Sequence, residues 1–240
     1  MDVDQVDSTN SMAAATLLEK KLVEGTAITA QQQSHGRGYA GSDWQSEYGK
    51  NLLLSIVLYP VFLAPRQQFF LNQVASLAVA DLFEQSISAD SVRIKWPNDV
   101  LINERKSAGI LIENSVKGNL LQQSIVGLGI NINQQHFPAS LRQATSLSIE
   151  TGQEYSCQEL MQQLFIQIEK RYLQLKENRM EILTKDYMKR LYRVDEPSFF
   201  STKGKEFTGI IRGLTAEGKL VVEQEGTHRV YGFKEIEMKY

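Results

Sequence analysis

The sequence predicts an α+β fold, a mostly antiparallel sheet flanked by helices and followed by a small all-β unit. Three observations carry that expectation. Four strand-like runs between residues 92 and 133 follow one another with short polar turns between them, as in a meander. Apolar residues recur at helical spacing over 67–88 and 157–178, on either side of those runs in the chain. After Pro197 the texture changes to short alternating runs separated by Gly-containing turns.

Taken in order, Asp7-Ser8-Thr9-Asn10 stands before an Ala-, Leu-, Glu- and Lys-rich stretch at 11–22, the pattern of a capped helix. Residues 26–33 read as a strand, and 51–59 as a second, nearly all-apolar strand buried on both faces. The loop between them is about 17 residues, a length that inside a compact domain is functional or disordered. With four Gly and His35, Arg37, Tyr39 and Trp44, it reads as functional. Phe70, Val74, Leu77, Ala78 and Leu82 give 67–88 a helical face that should pack on a sheet. Strands are expected at 92–96, 100–103, 108–116 and 120–133, with turns at Asn103-Glu104-Arg105 and Lys117-Gly118-Asn119. Leu160, Leu164, Ile168 and Leu175 mark an amphipathic helix at 157–178, and 179–191 reads as another. Strands at 207–212, 219–225 and 227–233 predict a small barrel. At about 45 residues it is too small to fold strongly alone and should dock on the rest. The expected domains are 1–194 and 195–240.

Composition narrows the function classes. The chain has 240 residues, 42% hydrophobic and 22% charged, with 16 Gly and 5 Pro, which excludes disordered and fibrous classes. Lys plus Arg number 26 against 28 Asp plus Glu, so no global field favours nucleic acid and any anion site must be local. Apolar runs such as 52–59 fall far short of the roughly 18–20 residues that span a bilayer. Asp2, Asp4 and Asp7 stand where a signal peptide would be basic, so a cytoplasmic protein that binds neither membrane nor nucleic acid is expected. Cys157 is the single cysteine, and His35, His136 and His228 are scattered, so no disulfide or zinc spacing exists.

Two familiar phosphate motifs are decoys. Gly36-Arg37-Gly38-Tyr39-Ala40-Gly41 has G-x-G-x-x-G spacing, but no apolar helix follows and no acidic residue stands at the ribose position. The run from Gly213 to Lys219 has P-loop spacing, yet Leu220 replaces the Ser or Thr and the flanks read as strands. The 33–44 loop still permits close backbone approach, and Arg37 between two Gly can aim forked donors at an anion or simply be solvated. Lys95-Trp96-Pro97-Asn98-Asp99 sets charged and polar groups at a turn. Lys106 reads as an ordinary hairpin lysine or as a functional cation. In Gly127-Leu128-Gly129-Ile130-Asn131-Ile132-Asn133 alternate positions are small or polar, so one strand face admits something close, unless the strand is merely bulged.

Together, in order, Asp7-Ser8-Thr9-Asn10, 33–41 with Trp44, Lys95 to Asp99, Arg105 to Glu113 and Gly127 to Asn131 resemble a biotin protein ligase over essentially the whole chain. The resemblance implies a catalytic domain related to class II aminoacyl-tRNA synthetases, then an SH3-like barrel. It implies ATP and biotin as substrates, Mg2+, and transfer through biotinyl-5′-AMP to a lysine of the biotin carboxyl-carrier domain of a biotin-dependent carboxylase. By motif match, Lys106 and Arg37 are catalytic. Ser8, Thr9, Asn10, Gln33, Gly36, Gly38, Tyr39 and Gly109 join them around biotin. Trp44, Lys95 and Asn131 join them around the adenylate, and Asp99 stands near a magnesium-bound phosphate. The Ser8 and Thr9 hydroxyls have an alternative role as helix caps.

Two departures from the family pattern matter. The usual loop is G-R-G-R-x-G, and Tyr39 stands at the second Arg, which should weaken retention of the acyl-adenylate. Seven residues precede Ser8, so a monofunctional enzyme without the N-terminal DNA-binding domain of the ligase/repressors is expected, as monomer or homodimer. The basic residues at 170–193 read as a solvated face or a carrier patch. The rivals are a lipoate ligase or octanoyltransferase of the same fold, and a non-catalytic effector sensor.

Overall fold

The structure is a computed structural model that describes residues 1–239, Ala40 by its backbone only. Its elements are β1 (Asp2–Val6), α1 (Thr9–Glu19), β2 (Ala27–Gln33), β3 (Gly36–Arg37), β4 (Asp43–Trp44), β5 (Asn51–Leu58), α2 (Phe69–Phe83), β6 (Val92–Lys95), β7 (Asp99–Ile102), β8 (Arg105–Lys117) and β9 (Leu120–Asn131). There follow α3 (Leu147–Thr151), α4 (Cys157–Lys176), α5 (Met180–Arg190), β10 (Pro197–Thr202), β11 (Lys205–Leu214), β12 (Leu220–Gln224), β13 (Thr227–Tyr231) and β14 (Glu237–Met238).

Seven strands form one sheet in the order β1-β2-β5-β9-β8-β7-β6, antiparallel except for the β1–β2 pair. Its two faces divide the core by strand alternation. Leu52, Leu54, Ile56 and Leu58 of β5 join the main core with α2, α4 and α5, while Val57 joins Ala13 of α1, Ile28 and Ile125 on the other face. All eight residues of β5 are buried, as its unbroken apolar run implies. The α1 side is only partly covered by that helix. The remainder of that face is where the pocket lies.

The second sheet has the order β13-β12-β11-β10-β14. Its edge strands β13 and β14 do not pair among the described residues, so the expected closed barrel is corrected to an open five-stranded sheet. Two of its strands, β10 and β14, have no counterpart in the sequence expectation. It docks through aromatic residues: the buried Trp96 indole N–H donates to the Gly218 carbonyl at 2.9 Å, and the Phe233 ring stacks on Trp96 at 5.3 Å. Phe200, Ile211, Leu220 and Val222 thereby belong to the same hydrophobic cluster as Leu54 and Leu77.

Other expectations shift modestly. α1 begins earlier than 11 and ends before Lys20, and β1 was not anticipated. The 213–219 segment is a hairpin connection between β11 and β12. Arg171 and Arg190 are not solvated: they pair with Asp81, Asp186 and Glu84, tying α4 and α5 to α2.

Candidate active site

The pocket floor is a small patch of three strands. Cross-strand pairing places Ser55, Gly127 and Leu111 in one row and Leu53, Gly129 and Gly109 in the next, on the face that α1 partly covers. Side chains in a row share a face. The absence of side chains at Gly109 and Gly129 leaves a bare track, and the Trp44 indole lies along it. A Cβ at Gly129 would come within 2.4 Å of that ring, and one at Gly109 within 2.9 Å. Trp44 reaches the track because Gly36 and Arg37 pair with Trp44 and Asp43 in a tight hairpin, in which a Cβ on Gly36 would meet the Trp44 carbonyl at 2.4 Å. This is the physical reason for Gly36. The Trp44 indole N–H is buried with no hydrogen-bond partner among the described residues.

One end of the pocket is polar, neutral and buried. Ser8 is the N-cap residue of α1 by position, but neither it nor Thr9 makes a side-chain cap bond, so the helix-cap alternative does not hold. Ser8, Thr9 and Asn10 are each 3% exposed and line the pocket. Gln33 Oε1 accepts from the Thr9 backbone N–H at 2.8 Å, and Thr9 Oγ1 lies 3.1 Å away. The Ser55 hydroxyl, fully buried, is 2.7 Å from Thr9 Oγ1 and 2.6 Å from Asn10 Oδ1. Asn10 Nδ2 donates to Glu113 Oε2 at 2.8 Å, and a Cβ at Gly127 would strike Asn10 Oδ1 at 2.2 Å.

The other end carries charge. β7 pairs with β8 through Val100–Ala108 and then Leu101–Lys106, which leaves Ser107 as an extra, bulged residue. Simple alternation from Gly109 would send Lys106 to the opposite face; the bulge returns it to the face of Gly109 and Asp99. Lys106 Nζ meets Asp99 Oδ1 at 2.6 Å and sits 5.9 Å from the centre of the Trp44 ring. Its backbone is held on both sides, its N–H by the Gln143 carbonyl and its carbonyl by the Thr145 N–H. Lys95 is the cross-strand partner of Asp99. Burial pushes the Lys95 ammonium down to about 8, with Asp99 opposing that shift and Lys106 adding to it. Arg37 forms a two-pronged pair with Glu113 at 2.7 and 3.2 Å.

Tyr39 and Lys106 are walls shared by this pocket and a cleft of about 800 Å³, whose other walls include Lys95, Asp99, Arg142 and Lys234. Tyr39 is partly buried, burial raises its phenol, and Lys234 Nζ from the turn between β13 and β14 lies 5.8 Å from its ring centre. Ser8, Thr9, Asn10, Gln33, Arg37, Gly38, Tyr39, Trp44, Lys106 and Gly109 thus converge. Gly36 shapes the hairpin, and Lys95 and Asp99 lie at the cleft. Asn131 stands apart: it is buried at the end of β9, lines neither cavity, and donates to the Thr145 carbonyl at 3.0 Å. Sequence reasoning missed Ser55 and Glu113. Ser55 is a polar residue in the middle of an apolar run, which is a usable signal; Glu113 closes the Arg105 to Glu113 motif without a role of its own.

The donor set does not fit a resident magnesium. Asp99 is paired with Lys106, and no group of three or more His, Cys, Asp or Glu side chains gathers among the described residues.

Comparison with known proteins agrees with this geometry. The sequence pattern of the Biotin/lipoate A/B protein ligase family matches residues 3–131. The chain is 32% identical to the bifunctional ligase/repressor BirA of Bacillus spizizenii, over 94% of this chain and 70% of that protein. It is 30% identical to the biotin–acetyl-CoA-carboxylase ligase of Paracoccus denitrificans over 97% of both. Biotin protein ligase from Aquifex aeolicus, solved in complex with biotin and ATP, superimposes with a TM-score of 0.83 at 26% identity, covering 100% of this chain and 97% of that one. The chain is therefore a ligase. Within that class the chain belongs to the biotin/lipoate A/B protein ligase family.

Proposed function

We propose that the chain is an ATP-dependent biotin protein ligase. It activates biotin as biotinyl-5′-AMP and passes the biotinyl group to a lysine of the carrier domain of a biotin-dependent carboxylase. The observation that carries this reading is Lys106, turned by the bulge to stand between the neutral polar end and the charged cleft. Support also comes from two curated relatives, which are named biotin–acetyl-CoA-carboxylase ligases.

In the first step a biotin carboxylate oxygen attacks the α-phosphorus of ATP and pyrophosphate leaves. Two anions must approach, so Lys106 and Arg37 lower the barrier by meeting charge that develops on the α-phosphate. Asp99 holds Lys106 until the substrate anions take over as its partner, while Glu113 keeps Arg37 oriented by its fork. In the second step the carrier lysine amine attacks the acyl carbonyl and AMP leaves. Ser8, Thr9, Asn10 and Gln33 receive the ureido ring, and leaving one of its polar groups unpaired would cost about 1–3 kcal/mol. Gly36, Gly38, Tyr39 and Gly109 close along the bound acyl group. Trp44 and Lys95 attend the adenylate, and Asn131 acts through Thr145 on the backbone of Lys106. Magnesium carried in on ATP would belong to the substrate, where it would offset phosphate charge, and Asp99 would be a cleft carboxylate available to it.

The pocket measures about 50 Å³ with the Trp44 indole along its glycine track, so lifting of the Trp44 hairpin would make room for biotin. We assign 1–194 to the catalytic unit and 195–240 to a second unit built on the open five-stranded sheet. The test is incubation of the chain with labelled ATP, a carrier domain, and either biotin or lipoate. Biotin should give a labelled acyl-adenylate whose label is released as AMP when the carrier lysine becomes biotinylated; equal activation of lipoate would overturn the reading.

A further inference from the structure

We propose that Glu113 is a positioning residue whose single carboxylate sets the hydrogen-bond polarity of the neutral end of the pocket and anchors Arg37 at the charged end. The proposal rests on the biotin reading above. A carboxylate paired with a guanidinium only accepts hydrogen bonds. The Asn10 amide 2.8 Å from Glu113 Oε2 must therefore present its NH2 group to Glu113 and its oxygen inward. That oxygen can only accept, and the group that meets it at 2.6 Å is the Ser55 hydroxyl.

Ser55 has one hydroxyl hydrogen. Given to Asn10, it leaves the Ser55 oxygen to accept from Thr9 at 2.7 Å. The Thr9 hydroxyl hydrogen is then committed to Ser55, and Gln33 Oε1 keeps the nearer Thr9 backbone N–H at 2.8 Å. Every proton in the series from Asn10 through Ser55 to Thr9 has its direction dictated from Glu113. With a neutral amide at 113, only the longer bond from Asn10 Nδ2 to the Leu111 carbonyl at 3.3 Å still favours the same amide orientation, so Asn10 turns over more easily and the direction of each downstream bond is less firmly set. A ligand ring whose donors and acceptors are fixed in position would then meet the wrong partners.

The same carboxylate takes Arg37 by its fork, at 2.7 Å from Oε1 and 3.2 Å from Oε2. Such two-pronged pairing fixes orientation as well as distance. These partners lie 76 and 103 residues from Glu113 in sequence, so the junction joins the glycine loop and the start of α1 through β8.

The experiment compares the full chain with Glu113→Gln and Ser55→Ala, reading biotin affinity by calorimetry, the KM for ATP by biotin-dependent pyrophosphate exchange, and the melting temperature. Glu113→Gln should weaken biotin about tenfold and raise the KM for ATP about threefold. Its melting temperature should match that of the parent. Ser55→Ala should weaken biotin comparably and leave the KM for ATP within about twofold. A Glu113→Gln protein with both constants unchanged overturns the proposal, as does one in which only one constant moves, or in which both losses track a fall in melting temperature. If Glu113→Gln does not fold, Glu113→Asp, which keeps the charge but is too short to hold both partners, is judged by the same criteria. Failure of the parent to bind biotin would instead refute the biotin reading.

Discussion

At one end of the pocket Thr9, Asn10 and Ser55 are almost wholly buried and answer one another from α1 and β5; at the other, Lys106 and Arg37 keep 34% and 48% of their side-chain surface in solvent. The difference follows from what each end must pay in desolvation. Neutral groups can be buried cheaply if every hydrogen bond is made, and a helix start and central strands hold them in one arrangement. Charges buried as deeply would each lose several kcal/mol of hydration, so they stand on a bulge and a hairpin beside carboxylates, where exchange of partners is easy. In the function proposed above, the neutral end selects by shape and polarity and the charged end performs the transfer.

The sharpest way to break this division is Lys106→Ala. Adenylate formation should fall about 10²–10³-fold in pyrophosphate exchange, as expected for loss of a preorganised charge at a transition state. Biotin affinity by calorimetry should stay within about threefold; a parallel loss of affinity would mean that the two ends are not separable.

A smaller effect concerns Lys95, held down to about 8 by burial, with Asp99, Lys106, Glu237 and Arg193 as its charged neighbours. Below that pH it is cationic and above it neutral. The KM for ATP should therefore rise several-fold between about pH 7 and about pH 9 and stay flat in Lys95→Met. The same shift has a stability sign. Between about 8 and 10.5 the unfolded chain holds the Lys95 proton and the folded one does not, so this group's contribution to stability rises with pH. Denaturant titrations of parent and Lys95→Met across that window read it directly.

The smallest expected effect is at Tyr39, which meets Lys234 where the family loop has a second Arg. A contact of this kind is worth about 0.5–1 kcal/mol at an exposed site. Tyr39→Arg should slow release of biotinyl-AMP, measured by chasing labelled intermediate, about twofold to fivefold. Release no slower than in the parent would remove the loop from adenylate retention.

Much of the site was legible because its motifs are local. Ser8 to Asn10, the glycine loop and the Lys95–Asp99 turn each carry composition that no ordinary helix or strand needs. What was not legible depends on distant partners. Glu113 looks like any polar residue at the end of an apolar strand, and only its contacts with Arg37 and Asn10 give it a role. The bulge at Ser107 has no compositional mark, yet it decides which way Lys106 points. β1 is a short Asp-containing run that pairs in parallel with β2, without the apolar alternation that signals a strand. The barrel expectation failed because strand count and turn spacing in the C-terminal segment say nothing about whether the edge strands meet.

The bond from Trp96 to the Gly218 carbonyl, and the Phe233 ring stacked on that indole, join the second sheet to the hairpin that bears Lys95 and Asp99. Residues of both sheets lie in one uninterrupted cluster, so heat should melt them in a single calorimetric transition rather than two. Removing the second sheet would uncover Trp96 and Phe69 and loosen the turn between Lys95 and Asp99, so the enzyme cannot be trimmed to its first sheet without blunting its own chemistry.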